Sequence, residues 1–300
     1  MATFASPSQA LDYQVVDVFT EIALKGNGLA VVFDTVGLAT ERMQAIAREF
    51  NLSETTFIQR RDLETEKSEG VRVRIFTTQE ELPFAGHPTL GTASVLKLSA
   101  PETLHDNTVR LALNVGSVPV RFNHHSLYGE MIQRDPEFGA QLEPKTVARL
   151  TGLNTSDFHA AAPPQVVSTG TAFAIVTLRS HEALAHLRVD HEEATKYLRE
   201  KGGRWFYVLG PTGGDPAWRA RMQFYGGEDP ATGSAAGCAI SYLVGHGIVA
   251  PRQQIHVKQG VEIGRASDLF LGADLISGKV SDVRVGGSTV RVAKGQLFLP

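Results

Sequence analysis

Two stretches of this sequence repeat one pattern, and the repeat decides the fold. Residues 74–96 read RIFTTQEELPFAGHPTLGTASVL, and residues 221–243 read RMQFYGGEDPATGSAAGCAISYL. Matching Arg, Glu, Pro, Gly and Leu positions lie 147 residues apart, so the copies align without a gap. A repeat of about half the chain is too long for a solenoid period. It predicts two similar domains that face each other across a shared site for a small molecule.

In each copy, a Gly followed by a polar residue predicts the start of a buried helix. Gly86 and His87 begin one segment, Gly233 and Ser234 the other, and both segments are small or apolar on most faces. A helix start presents unpaired N–H groups and partial positive charge, which bind carboxylates. Capping alone would explain one such start. Two matched copies, each with a Glu five positions before its Gly, favour a binding site.

Alternating apolar residues predict many short strands around these helices. The segments are 71–75, 118–122, 172–178, 205–209, 255–257, 280–285 and 290–292. Thr40 is predicted to cap a further helix, and 145–150 and 192–200 to form surface helices. The fold class is therefore α+β, with two sheet-wrapped central helices. We assign 1–121 to a first barrel domain, completed by the C-terminal strand 289–300, and 122–288 to a second.

Composition and charge predict a cytoplasmic protein that binds a small molecule. The chain has 42% hydrophobic and 20% charged residues, and its net charge of −3 argues against nucleic acid as main partner. We see neither a signal peptide nor an apolar stretch of the ~20 residues that would span a membrane. The single Cys238 cannot form an internal disulfide, which is consistent with a reducing compartment. We expect a homodimer.

Residues 51–57, NLSETTF, offer a candidate acid–base residue. Glu54 stands where the helix beginning near Thr40 gives way to a strand, among apolar and hydroxyl-bearing neighbours. Partial removal from water would raise the pKa of its carboxyl group toward that of a useful general acid or base. A Glu at such a junction is more often simply solvated, so both interpretations fit these residues.

Four motifs, in this order and spacing, resemble the PhzF family of phenazine-biosynthesis isomerases: NLSETTF, ELPFAGHPTLG, GEDPATGSAAG and KQGVEIGR. The resemblance extends from Asp12 to the C-terminal strand. It implies the diaminopimelate-epimerase-like fold, in which two domains each form a β-barrel around a central helix, with the active site between them. It also implies a cofactor-free isomerisation of trans-2,3-dihydro-3-hydroxyanthranilate. In that reaction a Glu removes the C3 proton and a proton returns at C1, giving a reactive aminoketone.

The resemblance also carries the family's functional positions onto this chain. The catalytic candidates, taken through NLSETTF, GHP, GEDPATG and TGSA, are Glu54, His87, Asp229 and Ser234. The neighbouring positions that would contact the ligand are Ser53, Gly86 and Gly233.

Two other functions remain open. A racemase or epimerase of the same fold would use two opposed bases, typically a Cys pair. Cys238 alone excludes the two-thiol form but leaves a Glu/Asp or Glu/His pair open. A non-catalytic binding protein would keep both helix starts. Glu54 argues against that function, because a carboxylate facing an anionic ligand hinders binding unless it has a chemical task.

No metal or organic cofactor is expected. His181 and His186 are five positions apart, which places them about 140° apart around an α-helix, so they do not share a face. A solvated helix is the simpler interpretation of that segment. The sequence contains no phosphate-loop or dinucleotide-binding fingerprint.

Overall fold

The computed structural model describes residues 9–224 and 227–299. Residues 1–8, 225–226 and 300 lie outside the described residues. Three features of the sequence analysis therefore lie partly or wholly outside the described residues. They are the N-terminus, where no signal peptide is expected, the beginning of the predicted first domain, and two residues of the second repeat copy.

The chain alternates short strands with a few helices. The strands are β1 (Gln9–Val18), β2 (Asn27–Val32), β3 (Glu54–Gln59), β4 (Val71–Phe76), β5 (Glu81–Leu82), β6 (Leu104–His105), β7 (Thr108–Leu113), β8 (Gly116–Phe122), β9 (Gly129–Ile132), β10 (Glu137–Gln141), β11 (Gln165–Ser168), β12 (Ala172–Thr177), β13 (Trp205–Pro211), β14 (Trp218–Arg221), β15 (Gln223–Phe224), β16 (Gly227–Glu228), β17 (Ile255–Gln259), β18 (Ser267–Ile276), β19 (Lys279–Gly287) and β20 (Thr289–Leu299). The helices are α1 (Thr40–Phe50), α2 (Leu63–Glu69), α3 (Gly86–Ser99), α4 (Pro144–Thr151), α5 (His191–Lys201) and α6 (Gly233–Gly245). Short 3₁₀ segments cover Pro101–Thr103, Thr155–Asp157 and His181–His186.

The predicted elements are largely confirmed. Each predicted strand lies on an observed strand, with only Leu178 just beyond the end of β12. Two details differ. Thr40 is the first residue of α1, where it accepts a hydrogen bond from Arg74 at 3.1 Å, so it does not cap that helix. His181–His186 forms a 3₁₀ turn instead of a solvated α-helix.

The first half of the chain wraps strands around α3. β2 runs antiparallel to β1 and parallel to β3, and β4 joins β3 to β7, β8 and β9. The C-terminal strand β20 pairs antiparallel with β1 along its whole length. α3 is buried from Gly86 to Leu96 because small and apolar residues cover nearly every face.

The second half repeats this arrangement around α6. β10 to β14 continue into β17, β18 and β19, and α6 is buried from Gly233 to Val244. β19 pairs with β9, so within the described residues the two halves share one sheet of 18 strands. The predicted boundary at 121/122 falls within β8, and the domain limits stay a prediction.

The acidic residue of each repeat copy forms an ion pair. Arg74 meets Glu81 at 2.6 Å, and Arg221 meets Glu228 at 2.5 Å. Each Arg is seven positions upstream of its Glu, so the repeat preserves the whole pair. The Glu that the sequence offered as support for a binding site therefore stabilises its own domain.

Among the described residues, no helix combines the length and the apolar character that crossing a membrane requires.

Candidate active site

The site forms where two parallel strands begin side by side. β2 and β3 pair with Leu29 opposite Glu54, so Asn27 and Glu54 emerge at the same edge of the sheet. Glu54 is the first residue of β3 and is only 7% exposed. The junction identified in the sequence is therefore buried, which excludes a simply solvated carboxylate.

The starts of the two central helices meet at this edge. A Cβ added to Gly86 would lie 2.4 Å from the carbonyl carbon of Gly233 and from the nitrogen of Ser234. A Cβ added to Gly233 would lie 3.1 Å from the Cα of Gly86. Sequence reasoning related these two glycines to ligand contact. In the structure, the backbones of the two helices lie so close together at these positions that any side chain would collide with or crowd the other helix.

Neither helix start has a side-chain cap. Ala85 precedes α3 and Thr232 precedes α6, and neither side chain bonds to the helix behind it. The first-turn N–H groups of both helices therefore receive no hydrogen bond acceptor from a cap side chain, and the partial positive charges of both helix starts lie close together. Two such ends held against each other form a strong site for a carboxylate.

Glu54 and His87 face each other inside this edge. Glu54 Oε2 lies 3.4 Å from His87 Nε2, and within the described residues neither atom has a hydrogen-bond partner. Burial, and then the charge of Asp229, raises the pKa of the Glu54 carboxyl well above its usual value. Burial lowers the pKa of His87 to about 3, so its imidazole is neutral at physiological pH.

Asp229 approaches from the second half of the chain. Its Oδ1 accepts hydrogen bonds from Asn27 at 2.7 Å and Ser53 at 3.3 Å, and its Oδ2 from Thr232 at 2.6 Å. The side chain is 4% exposed. Burial raises its pKa to about 7, although the three hydrogen bonds act in the opposite direction.

The structure brings all the predicted site residues together. Ser234, 4% exposed, lies in the first turn of α6 beside Gly86. The full set, linked by the contacts above, is Ser53, Glu54, Gly86, His87, Asp229, Gly233 and Ser234.

Sequence reasoning missed Asn27. Its single amide nitrogen lies 2.7 Å from Asp229 Oδ1, 2.8 Å from the Ala231 carbonyl oxygen and 3.1 Å from His87 Nδ1. It joins the two halves of the site at its centre. The available signal was its position between Gly26 and Gly28, at the beginning of a fully buried strand.

The fourth motif, KQGVEIGR, supports the site through hydrogen bonds to the segments that carry Asn27 and Asp229. Arg265 donates to Asp17 Oδ1 at 2.7 Å and to the Gly26 carbonyl oxygen at 2.9 Å, which fixes the segment before Asn27. Gln259, also overlooked, holds the segment around Asp229 through its side-chain amide. These contacts give the motif a structural task that the resemblance alone did not indicate.

The arrangement suits proton transfer in a site that excludes water. One carboxyl group with a raised pKa, a neutral imidazole and a second carboxyl group lie beside the two helix starts. Low exposure strengthens each electrostatic interaction and limits proton exchange with water. Among the described residues, no group of three or more His, Cys, Asp or Glu side chains is arranged to hold a metal ion.

Comparisons with known proteins show which sequences resemble this one. The profile of the family described as phenazine biosynthesis-like protein, PhzC-PhzF, matches residues 16–295. A trans-2,3-dihydro-3-hydroxyanthranilate isomerase of Pseudomonas aeruginosa is 37% identical over 96% of this chain and 99% of its own length. An uncharacterized isomerase of Mesorhizobium japonicum is 36% identical over 97% of this chain and 100% of its own.

Solved structures resemble the fold as a whole. A predicted epimerase of Pseudomonas aeruginosa has a TM-score of 0.81 and 33% identity, covering 97% of this chain and 100% of its own. A PhzF-family protein of Bacillus anthracis reaches 0.83 at 22% identity, with the same coverage. A hydroxyproline epimerase of Agrobacterium vitis, at 10% identity over 97% of this chain and 93% of its own, scores 0.66. These likenesses confirm the predicted diaminopimelate-epimerase-like fold.

Proposed function

This chain belongs to the phenazine biosynthesis-like PhzC-PhzF family and is an isomerase of the PhzF type, and from this premise we propose that it isomerises trans-2,3-dihydro-3-hydroxyanthranilate in phenazine biosynthesis. The observation that carries the proposal is the facing pair Glu54 and His87. Glu54 Oε2 and His87 Nε2 are buried 3.4 Å apart and have no other partner among the described residues, so they are poised for a group that the ligand supplies. The relative of Pseudomonas aeruginosa that is 37% identical carries the name of this activity.

The substrate carboxylate binds where the two helix starts meet. The unpaired N–H groups of α3 and α6 and the Ser234 hydroxyl are the donors available there. An anion at this position also relieves the repulsion between the two positive helix ends. When the substrate carboxylate binds at the starts of α3 and α6, the substrate ring is held against Glu54.

Glu54 then moves one proton. As a carboxylate it takes the proton from C3, the ring double bonds shift, and the same proton is delivered to C1, which gives an enol. The enol then loses its hydroxyl proton and gains a proton at a ring carbon, which gives the aminoketone with no atom gained or lost overall. The raised pKa of Glu54 makes the ionised group a stronger base. The neutral imidazole of His87 and the carboxyl group of Asp229 hold the amino and hydroxyl groups of the substrate and stabilise the charge that develops on its ring.

The site must open before this happens. Glu54, His87, Asp229 and Ser234 are 7, 2, 4 and 4% exposed, so no substrate reaches them in this conformation. We infer that the helix starts separate to admit the substrate and close again over it. Closure excludes water during the transfer.

An epimerase is the second candidate, and Asp229 is the observation that favours it. Asp229 lies in the other half of the molecule and has a pKa of about 7, as a second base would need. In that reaction Glu54 and Asp229 would act from opposite faces of one carbon. A 33% identical neighbour is described as a predicted epimerase.

Proton NMR of trans-2,3-dihydro-3-hydroxyanthranilate, followed with and without the protein, tests the proposal. We expect the C3 proton signal to disappear and the isomerised ring to form only with the folded protein. Heat-denatured protein is the control. Unchanged substrate, with epimerisation of a trial amino or hydroxy acid instead, would favour the second candidate.

A further inference from the structure

Gln259 is a buried amide with no assigned task in the reaction. It ends β17 and has 0% exposure. Its Nε2 donates to the Asp229 carbonyl oxygen at 2.8 Å and to Thr232 Oγ1 at 2.9 Å. Its Oε1 accepts from the Thr232 N–H and from the Tyr207 hydroxyl, each at 3.2 Å. Every donor and acceptor direction that an amide ordinarily uses is therefore occupied.

These partners fix which way the amide points. Tyr207 OH and the Thr232 N–H both donate, so they require the oxygen of Gln259 on their side. The nitrogen must then face Thr232 Oγ1 and the Asp229 carbonyl. Tyr207 is fully buried, and Gln259 is the partner that its hydroxyl has among the described residues.

The direction of the amide decides the direction of the Thr232 hydroxyl. A hydroxyl group has one hydrogen to donate. Because Gln259 donates to Thr232 Oγ1, that oxygen is engaged as an acceptor. Its hydrogen is left for Asp229 Oδ2, 2.6 Å away.

We propose that Gln259 is a positioning residue that acts through Thr232 to hold the Asp229 side chain in place, with Tyr207 setting the orientation of the amide. The same amide holds the backbone of Asp229, so one side chain fixes both ends of that residue. The hydrogen-bond relay stands on these contacts alone. Its effect on turnover rests on the proposed function.

Loss of the relay has a defined consequence at Asp229. The Thr232 hydrogen bond favours the ionised carboxyl. Without Gln259 the Thr232 hydroxyl turns freely, Asp229 loses part of that hydrogen bond, and its carboxyl holds its proton to higher pH. Activity then falls because the group that polarises the substrate is misplaced.

The test is the titration of Asp229 in Gln259→Met, followed by ¹³C NMR of protein with carboxyl-labelled Asp. The Asp229 signal is assigned by its absence in Asp229→Asn. We expect the titration midpoint of Asp229 to rise by about one pH unit, because one hydrogen bond to its ionised carboxyl group is weakened. Gln165→Met is the matched control, since Gln165 is also buried and bonds Gly139 and His246 at 3.0 Å.

A double-mutant cycle with Thr232→Val separates positioning from general support. If Gln259 acts through Thr232, Gln259→Met moves the Asp229 midpoint in the parent and moves it less in Thr232→Val, where only the contact with the Asp229 backbone is left to lose. An unchanged midpoint in folded Gln259→Met would overturn the proposal, as would equal shifts in both backgrounds. If Gln259→Met does not fold, Tyr207→Phe is titrated instead, and an unmoved midpoint there overturns it equally.

Turnover provides the readout that depends on the proposed function. With trans-2,3-dihydro-3-hydroxyanthranilate, we expect kcat of Gln259→Met to fall about tenfold with KM little changed. If the Asp229 midpoint shifts in Gln259→Met but the parent protein does not turn this substrate over, the relay stands and the proposed function is rejected.

Discussion

At the scale of single residues, the chemistry depends on how deeply Glu54 is buried. Glu54→Gln preserves the shape of the side chain and removes the basic site. General acid–base groups contribute about 10²–10⁴-fold, and a sole proton carrier is expected at the upper end or beyond. We therefore expect kcat to fall by at least ~10⁴-fold while the melting temperature is retained or rises. Glu200→Gln, which changes an exposed Glu of α5 outside the site, is the control for stability and activity.

A variant that retains turnover within tenfold of the parent would show that another group carries the proton.

Asp229 should leave a pH signature on stability. Its pKa in the folded state is about 7, raised from 3.8 by burial. A carboxyl group whose folded pKa is raised contributes stability that is present below 3.8 and is lost as the pH rises to about 7. His87, whose pKa is lowered to about 3 from 6.5, acts oppositely, because its contribution is lost as the pH falls through that window.

Asp229→Asn removes only the first of these effects. Relative to the parent, the variant should gain stability between pH 4 and 7, by about 1.4 kcal/mol per pH unit at most. Urea unfolding at several pH values measures the difference. Parallel stability curves for parent and variant would mean that Asp229 titrates normally in the fold.

At the scale of elements, the contact between α3 and α6 leaves no room for a side chain. In Gly86→Ala the new Cβ would lie 2.4 Å from backbone atoms of Gly233 and Ser234, which cannot move without shifting the helix. Overpacking of this kind costs about 1–3 kcal/mol, sometimes more. We expect a lower melting temperature and loss of turnover. In Gly214→Ala, where the added Cβ meets nothing within 4 Å, both should stay unchanged.

Parent-like stability and turnover in Gly86→Ala would show that the helix starts do not need this close approach.

The repeated ion pair gives a comparison within one molecule. Side chains of Arg221 and Glu228 are 7% and 6% exposed, whereas those of Arg74 and Glu81 are 17% and 24% exposed. Removing one partner of a buried pair costs about 3–5 kcal/mol, and much less for a solvated pair. Glu228→Gln should therefore destabilise the protein clearly more than Glu81→Gln. Denaturant unfolding of both variants measures this, and equal losses would contradict it.

At the scale of the whole molecule, closure of the two halves should keep the transferred proton away from water. When turnover runs in D₂O, a single shuttling carboxylate in a closed site returns part of the abstracted protium to the product. We expect early NMR spectra to show partial protium at the new C–H position, on the face from which it left. Stoichiometric deuterium on the opposite face would reject the shuttle and favour two bases. Full exchange on the same face would mean that water reaches Glu54.

The predicted homodimer and the domain limits remain predictions at this scale. Light scattering after size-exclusion chromatography decides the first. Strand β20 bears on the domain limits. It returns from the end of the chain to pair with β1, as expected if residues 289–300 complete the first domain.

The candidate site residues were predicted from motifs that resemble those of the PhzF family. The two buried helices and several of the strands around them follow from the amino-acid sequence alone. These helices and strands can be predicted because burial is encoded in local composition and spacing, and the gapless repeat shows the helical pattern twice. The motifs around Glu54, His87 and Asp229 are likewise contiguous in sequence and can be recognised without coordinates.

How these pieces meet follows from contacts between residues that are far apart in sequence. Asn27 and Asp229 are separated by 202 positions, and no local pattern records that their side chains lie 2.7 Å apart. The same holds for Gln259 behind Asp229, and for Gly86 against Gly233, where the absence of a side chain matters only once a second helix is present. Burial periodicity reports that a residue faces inward. Which residue it meets there depends on how strands and helices distant in sequence pack, and that packing sets the pKa values on which the chemistry depends.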